Sequence, residues 1–421
     1  MLTRIYIAAG ALAAALILAA GSLVVFGSSR SAEVRNDAPQ AVRQTSGQDA
    51  APADPGAGGV LVIASQGGLA TYRPDGKVVS PQAQPGLSPP QGLSADGRWT
   101  AVNSCPNPSL CQLSVGPASG GVFRAVASNV QEGVWSSSAA AQLAIRDATG
   151  ALFIYDASGD KLTPLAQSVT GFLWSGNDLT YATREASGST FWSFNGKTAR
   201  QLTTTPSAIE RFYPSPSAAS LAFICSEHNG WTLSTLDLAS GAVTSFGNLG
   251  AVSERRAIAQ EPPEIAIAWS PDEKQIAVSP VSAPYVLHLL SADGTSQRRY
   301  FFEEGYAGEL VWSPSGDVLA ISTYSSDRSR HEVYVLDVAG TQAPRHLLDG
   351  CHIEWSPDGR YMAVKREPSK APGVSAIRVE DGANWPVVAY TGYVPISWGA
   401  NEADAMALAL KPANPSAVLG K

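Results

Sequence analysis

From residue 60 onward the chain is a succession of short apolar runs. Gly, Asp, Ser or Pro breaks each one before a second helical turn could close. Runs such as "DVLAIST" (317–323), "YMAVKR" (361–366) and "SLAFICS" (220–226) are followed by "HEVYVLDVAG" (331–340) or "WTLSTLDLASG" (231–241). A short, more polar run then leads out, as in "KLTPLA" (161–166) or "RQLTTT" (200–205). Apolar and polar residues alternate along many of these runs, and the breaks carry turn residues, which predicts strands joined by tight turns. No segment of this region sustains a 3.6-residue apolar period, so the fold class expected is all-β.

The runs are organised by one phrase. It reads "AWSPDEKQIAVSP" at 268–280, "VWSPSGDVLAIST" at 311–323 and "EWSPDGRYMAVKR" at 354–366. The Trp, or what replaces it, falls at Leu93, Trp135, Trp174, Pro214, Trp269, Trp312, Trp355 and Trp398, with spacings of 42, 39, 40, 55, 43, 43 and 43. A period near 42 is that of a four-stranded propeller blade. Ser-Pro-Asp-Gly is turn material: Pro presets φ, Asp caps the local backbone and Gly takes a positive φ. The six tryptophans Trp135, Trp174, Trp269, Trp312, Trp355 and Trp398 are expected to be structural, filling the wedge between one blade and the next. Seven units start at the sites from 93 to 355. The pieces at 60–79 and after Trp398 are each incomplete, so the two ends are expected to share an eighth blade, which removes open sheet edges.

These phrases resemble the repeats of TolB-type β-propellers, which also occur in the propeller domains of prolyl-oligopeptidase-like enzymes. The resemblance spans 60–411. It is strong in blades five to seven and degenerate at "GLSADGRWTAVNS", "FLWSGNDLTYATR" and "YPSPSAASLAFIC". It implies the fold and a tendency to bind proteins or peptides in the cell envelope. It carries over no activity, because the repeat serves many unrelated functions.

Ahead of the propeller lie two other segments. Ile5 to Phe26 is a run of 22 uncharged residues after Arg4, long enough to span a bilayer, so residues 1–26 read as a transmembrane signal anchor. Eight of those residues are Ala, and Ala19, Gly21 and Gly27 would suit a signal peptidase, so secretion after cleavage is the alternative. Residues 27–59 lack aromatics and apolar period and read as a disordered tether; 412–421 reads as a tail. The propeller is expected on the extracytoplasmic side. A net charge of -7 gives no basic footprint for nucleic acid.

Catalytic chemistry is not legible. There is no Gly-x-Ser-x-Gly elbow, no phosphate loop and no clustered metal ligands, so no catalytic residue, cofactor or metal site is assigned. An enzyme or small-ligand binder using the central channel remains the alternative, since channels assemble sites from distant residues. Cys105 and Cys111 bracket "PNPSL" and are a candidate disulfide of an exported protein; Cys225 and Cys351 are expected to be separate buried thiols.

A partner surface is suggested by loop placement. In an up-down-up-down blade the loop between the second and third strands shares a face with the links between blades. The spacing of 55 puts an insertion with Glu254, Arg255, Arg256 and Glu261 on that face. Arg328 and Arg330 in "YSSDRSRHE" lie there too, as do Lys365, Arg366 and Lys370 in "KREPSKAPG". Such a concentration of positive charge on an acidic chain predicts a docking face for an acidic protein, a peptide or a polyanionic glycan.

Overall fold

The computed structural model describes residues 58–65, 68–82, 94–104, 112–136, 141–227, 230–250, 265–280, 286–302, 306–324, 330–366, 373–389, 396–402 and 404–405. Within them the chain is almost entirely strand, arranged as eight antiparallel sheets. Seven have four strands; the sheet of Trp99–Ser104, Gln112–Pro117 and Arg124–Ser128 has three. We number the blades from that sheet. Blades 2 to 7 span 130–166, 169–205, 209–250, 265–301, 306–349 and 351–389, each with its strands hydrogen-bonded in chain order. Blade 8 is composite: Ile396–Gly399 pairs with Val60–Ser65, which pairs with Gly68–Tyr72 and then Val78–Gln82. The C-terminal side thus supplies one inner strand and the N-terminal side three outer ones. Past Trp398, where another strand could have followed, residues 402, 404 and 405 are helical.

The sequence expectation of alternating strands needs correction at the second strand. Val318–Tyr324 is buried at five consecutive positions, and Tyr361–Arg366 at four. The reason is that each blade is covered on both faces, so both sides of the pleat must be apolar. Seven apolar clusters lie between successive blades rather than within them. Leu113 meets Leu143 between blades 1 and 2, and Leu152 meets Phe172 between 2 and 3. Phe191 packs on Phe223 between 3 and 4, and Trp231 with Ile276 between 4 and 5. Leu287 and Ile321, Val333 and Met362, and Tyr361 and Tyr72 continue the series to blade 8. The passage from blade 8 to blade 1 runs through 83–93, outside the described residues. First strands of neighbouring blades contact one another, so they lie innermost, while outer strands such as Lys161–Ala166 are largely exposed. This is a β-propeller of eight blades.

The tryptophans do more than fill space. The indole N–H of Trp174 donates to the carbonyl of Val134, that of Trp269 to Tyr213, that of Trp312 to Ala268 and that of Trp355 to Val311, at 2.9–3.1 Å. In every case the acceptor is the residue just before the Trp site of the preceding blade. Trp398 departs from the series and donates to Gly58, on the approach to the strand it pairs with. Trp135 Nε1 is buried and has no hydrogen-bond partner among the described residues, and residue 92, the corresponding position one blade earlier, lies outside them.

In the repeated turn the serine is the buried pivot. Ser270 and Ser356 are at most 1% exposed. Each hydroxyl donates to an Asp two residues on and accepts the backbone N–H that opens the next strand. The serine's bond holds the carboxyls of Asp96 and Asp272 below the ordinary range, Asp96 to about 2. Gly97, Gly316 and Gly359 take positive φ as expected, but Ala218 and Glu273 occupy that position in blades 4 and 5 with φ of 53° and 59°.

Candidate functional site

The innermost strands carry polar groups that an interior strand does not need for packing. Five of them contain a bulge near their first residues, between Val130 and Glu132, Val169 and Gly171, Ile209 and Arg211, Ala307 and Glu309, and Cys351 and Ile353. A bulge disrupts the ladder locally and re-aims a side chain. It recurs at the end of the inner strand where the interblade links arrive, opposite the Ser-Pro-Asp-Gly turns.

On that link face a cavity of about 410 Å³ opens between blades 2 and 3, within the range of ligand pockets. Blade 2 contributes Gln131 from its bulge, Arg146, and the turn Ala148–Gly150; blade 3 contributes Ser168, Val169, Thr170 and Arg184, with Ile209 from blade 4 behind them. Gly150 is needed here for two reasons: its φ is 81°, and a Cβ would stand 3.3 Å from the Val169 carbonyl. The Val169 N–H donates to the Gly150 carbonyl, which ties the two blades together beside the opening, and the Arg184 N–H donates to the Ser168 carbonyl within blade 3. Ser168 is a non-glycine residue at φ 55°, a left-handed backbone held by these bonds.

The cavity's electrostatics are set by Arg146 and Arg184. Arg146 is about one-fifth exposed and donates from Nη2 to Glu132 Oε2 at 3.3 Å, while its buried Nε has no partner among the described residues. Burial pushes the Glu132 carboxyl up and Arg146 pulls it back. Asp147, in the same turn, spends its carboxylate on the N–H groups of Thr149 and Ala151 and on the Thr149 hydroxyl.

Across the ring, two carboxylates act as clasps. Glu309, in the inner strand of blade 6, accepts the backbone N–H of Ile353 at 3.1 Å and that of His352 in blade 7. Glu354, in blade 7, accepts the backbone N–H of Trp398 in blade 8. Burial raises both carboxyls to about 7, and Glu309 adds to the rise of Glu354; both keep partial contact with solvent. Burial also lowers His352 to about 4, with Lys365 and His331 adding to the shift.

Of the link-face charges expected from the sequence, three are described. Arg330 is exposed at the start of the third strand of blade 6. Lys365 and Arg366 end the second strand of blade 7, half-buried, and Arg366 reaches Asn384 at 3.4 Å. These lie on adjacent blades at one end of their strands. Glu254, Arg255, Arg256, Glu261, Arg328 and Lys370 lie outside the described residues, as do Cys105 and Cys111. Cys225 and Cys351 are buried in blades 4 and 7.

Sequence reading missed Arg146, Arg184 and Gln131. The signal available was the polar intrusion into otherwise apolar inner strands, at Gln131–Glu132, Glu309 and Glu354. It also missed Glu332, His346 and Asp349, whose ligating atoms lie within 4.8 Å of one another on an exposed hairpin of blade 6, in reach of one metal ion. Glu332 there also accepts from the Tyr334 hydroxyl at 3.0 Å. Among the described residues no helix is long and apolar enough to cross a membrane, and residues 5–26 lie outside them.

The family model for eukaryotic translation initiation factor eIF2A matches residues 246–368 of this chain. Among curated proteins none matches. Among solved structures, a eukaryotic initiation factor is similar with a TM-score of 0.52 at 12% identity, over 81% of this chain and 88% of that one. TolB from Acinetobacter baumannii is similar at 14% identity over 72% of this chain and 82% of that one, with a TM-score of 0.35. A chain of the mitotic checkpoint complex shares 16% identity over 67% of this chain and 86% of its own, with a TM-score of 0.44. At such identities the likeness of the initiation factor speaks for the propeller fold and for nothing further.

Proposed function

We propose that this protein is an envelope-tethered propeller that binds a protein or peptide partner through its link face, on the extracytoplasmic side of a membrane held by residues 1–26. The observation that carries the reading is the gathering of Arg146, Arg184, Arg330, Lys365 and Arg366 at one end of the strands of a rigid scaffold, in a chain of net charge -7. Functional groups concentrate on loops and strand ends that a rigid scaffold positions. The Ser-Pro-Asp-Gly turns at the other end use their polar groups on one another, and Ser217 N–H, for example, donates to Glu273 of the next blade. The polar groups of the inner strands in blades 6 and 7 are likewise committed to main-chain donors, which favours a binding role over catalysis in the channel.

Site-specific photocrosslinking in the source cell tests this. A photoreactive residue at position 330 is expected to yield a discrete protein adduct, and one at 274, on the turn face, none. Adducts from 274 alone would sink the reading. Fractionation with external protease separately checks the tether: the propeller is expected with membranes and open to protease from the extracytoplasmic side.

A further inference from the structure

The outer hairpin of blade 6 joins its third strand, His331–Asp337, to its fourth, Arg345–Asp349. Glu332 stands opposite Asp349, and Tyr334 opposite His346. In a regular strand His346 and Asp349, three positions apart, would point to opposite faces. A bulge prevents this: Val333 pairs with Leu348 but Tyr334 with His346, so Leu347 is the extra residue. Leu347 and Leu348 both pack into the seam with blade 7, as do Val333 and Val335. Glu332, Tyr334, His346 and Asp349 are thereby gathered on the other face. One ligand atom from each of Glu332, His346 and Asp349 lies within 4.8 Å of the others, and His346 Nε2 is 3.5 Å from Asp349 Oδ1. Zinc bonds of 2.0–2.1 Å place neighbouring ligand atoms about 3.3 Å apart in a tetrahedron, so short side-chain rotations would close the group around an ion. Tyr334 supports two of the three. Its hydroxyl donates to Glu332 Oε2 at 3.0 Å, leaving the other oxygen for a metal, and its ring meets the His346 imidazole edge-on at 5.3 Å. Hydrogen-bonded support of this kind is what ligating side chains require. The arrangement is unfavourable without a cation, since like charges directly opposite destabilise a ladder. Burial and Glu332 raise the Tyr334 hydroxyl to about 12, Arg330 opposes the rise and Asp349 adds to it, so a cation already acts at this spot. Charge alone therefore does not single the group out; the donor set and its geometry do.

We propose that Glu332, His346 and Asp349 bind a divalent transition-metal ion of the zinc type, with Tyr334 as the positioning residue that holds the Glu332 carboxylate. One imidazole with two carboxylates suits such an ion better than calcium or magnesium, which favour all-oxygen sites. Three protein ligands suffice for zinc, the remaining position being taken by water or another group. The site lies at the link-face end of the hairpin and goes beyond the partner-binding reading; neither depends on the other.

The test uses the full chain in detergent, stripped of metal with a chelator and titrated with zinc ion in a calorimeter. Saturable binding is expected. Tyr334→Phe, which removes the hydrogen bond to Glu332, should weaken it about tenfold, the lower end for a group that supports a ligand. His346→Gln and Asp349→Asn should each weaken it by more. Glu380→Gln, an exposed carboxylate of blade 7, should leave it unchanged. Zinc should raise the melting temperature of the parent chain, since it binds the folded state, and raise it less in His346→Gln. His346 and Asp349 are well exposed, so the metal-free variants should melt with the parent. Affinity unchanged in both His346→Gln and Asp349→Asn would overturn the site, as would equal weakening by Glu380→Gln. Displacement of zinc by calcium at equal concentration would also overturn it, because the imidazole would then contribute nothing. The crosslink at 330 is read separately, so loss of the metal site leaves the partner-binding reading standing.

Discussion

At the scale of single residues, the repeated phrase divides its work unevenly. The Ser hydroxyl, buried and bonded on both sides, fixes the start of the second strand, and the residue two before that strand must accept positive φ. Where this residue is Ala218, the left-handed conformation costs an L-residue roughly 1–2 kcal/mol. Ala218→Gly relieves that cost but frees the unfolded chain, so a net gain of about 0.5 kcal/mol is expected from urea midpoints. The same change at Glu273 should gain less, because the Glu273 carboxylate accepts from Ser217 in the neighbouring blade. The tryptophans give a sharper contrast. Trp355→Phe leaves the Val311 carbonyl without its donor and is expected to cost about 1–3 kcal/mol beyond the smaller ring. Trp135 has no acceptor among the described residues, so Trp135→Phe should cost less. Equal costs would show that volume, not the indole bond, decides.

At the scale of the strand and the blade, cohesion comes from what passes between sheets. Arg298 on the outer strand of blade 5 donates to the carbonyls of Val338 and Gly340 in blade 6, and Arg345 of blade 6 donates to Val379 of blade 7. Near the axis Glu309 and Glu354 do the same job from the other direction. Their carboxyls rise on folding from 4.5 to about 7. The folded state therefore holds protons that the unfolded state releases across that interval. Their contribution is fully present below pH 4.5 and is lost as pH climbs through about 7. The melting temperature should accordingly increase between pH 8 and pH 5. Glu309→Gln and Glu354→Gln should each flatten the rise, since the amide keeps a carbonyl for the main-chain donors and has no proton to lose. An unaltered slope in both variants would assign the pH dependence to other groups.

At the scale of the whole molecule, the composite blade is the lock. Ile396–Gly399 covers the edge of Val60–Ser65, and Trp398 is buried against it with its indole bonded to Gly58. A chain ending at residue 395 should expose that edge. An open, apolar edge pairs with other chains. Size-exclusion chromatography should then show association or aggregation, together with a lower melting temperature. A monomer of unchanged stability would mean that the C-terminal strand contributes nothing to closure.

How much of this could be read in advance follows from the range of each interaction. The period of the Trp phrase, the turn chemistry and the sharing of blade 8 were legible, because they depend on neighbours in sequence and on a count of units. Even there the second strands departed from alternation, since burial on both faces is a property of stacked sheets and not of a strand. The link face was legible as topology: up-down-up-down order alone puts Arg330, Lys365 and Arg366 at one end. Arg146 and Arg184 were not, because they are 38 positions apart and meet only across the seam between two blades. The buried carboxylates tell the same story. Glu309 and Glu354 were not singled out from the sequence, because burial raises their carboxyls and their main-chain donors, Ile353 and Trp398, come from the following blade. By itself, then, the sequence determined the all-β class, the repeat, the turn and the composite eighth blade, since local propensity and periodicity are written residue by residue. Only the tertiary structure decided which polar groups share a cavity and which carboxyls hold a proton, because both depend on distance and burial between segments that the chain keeps far apart.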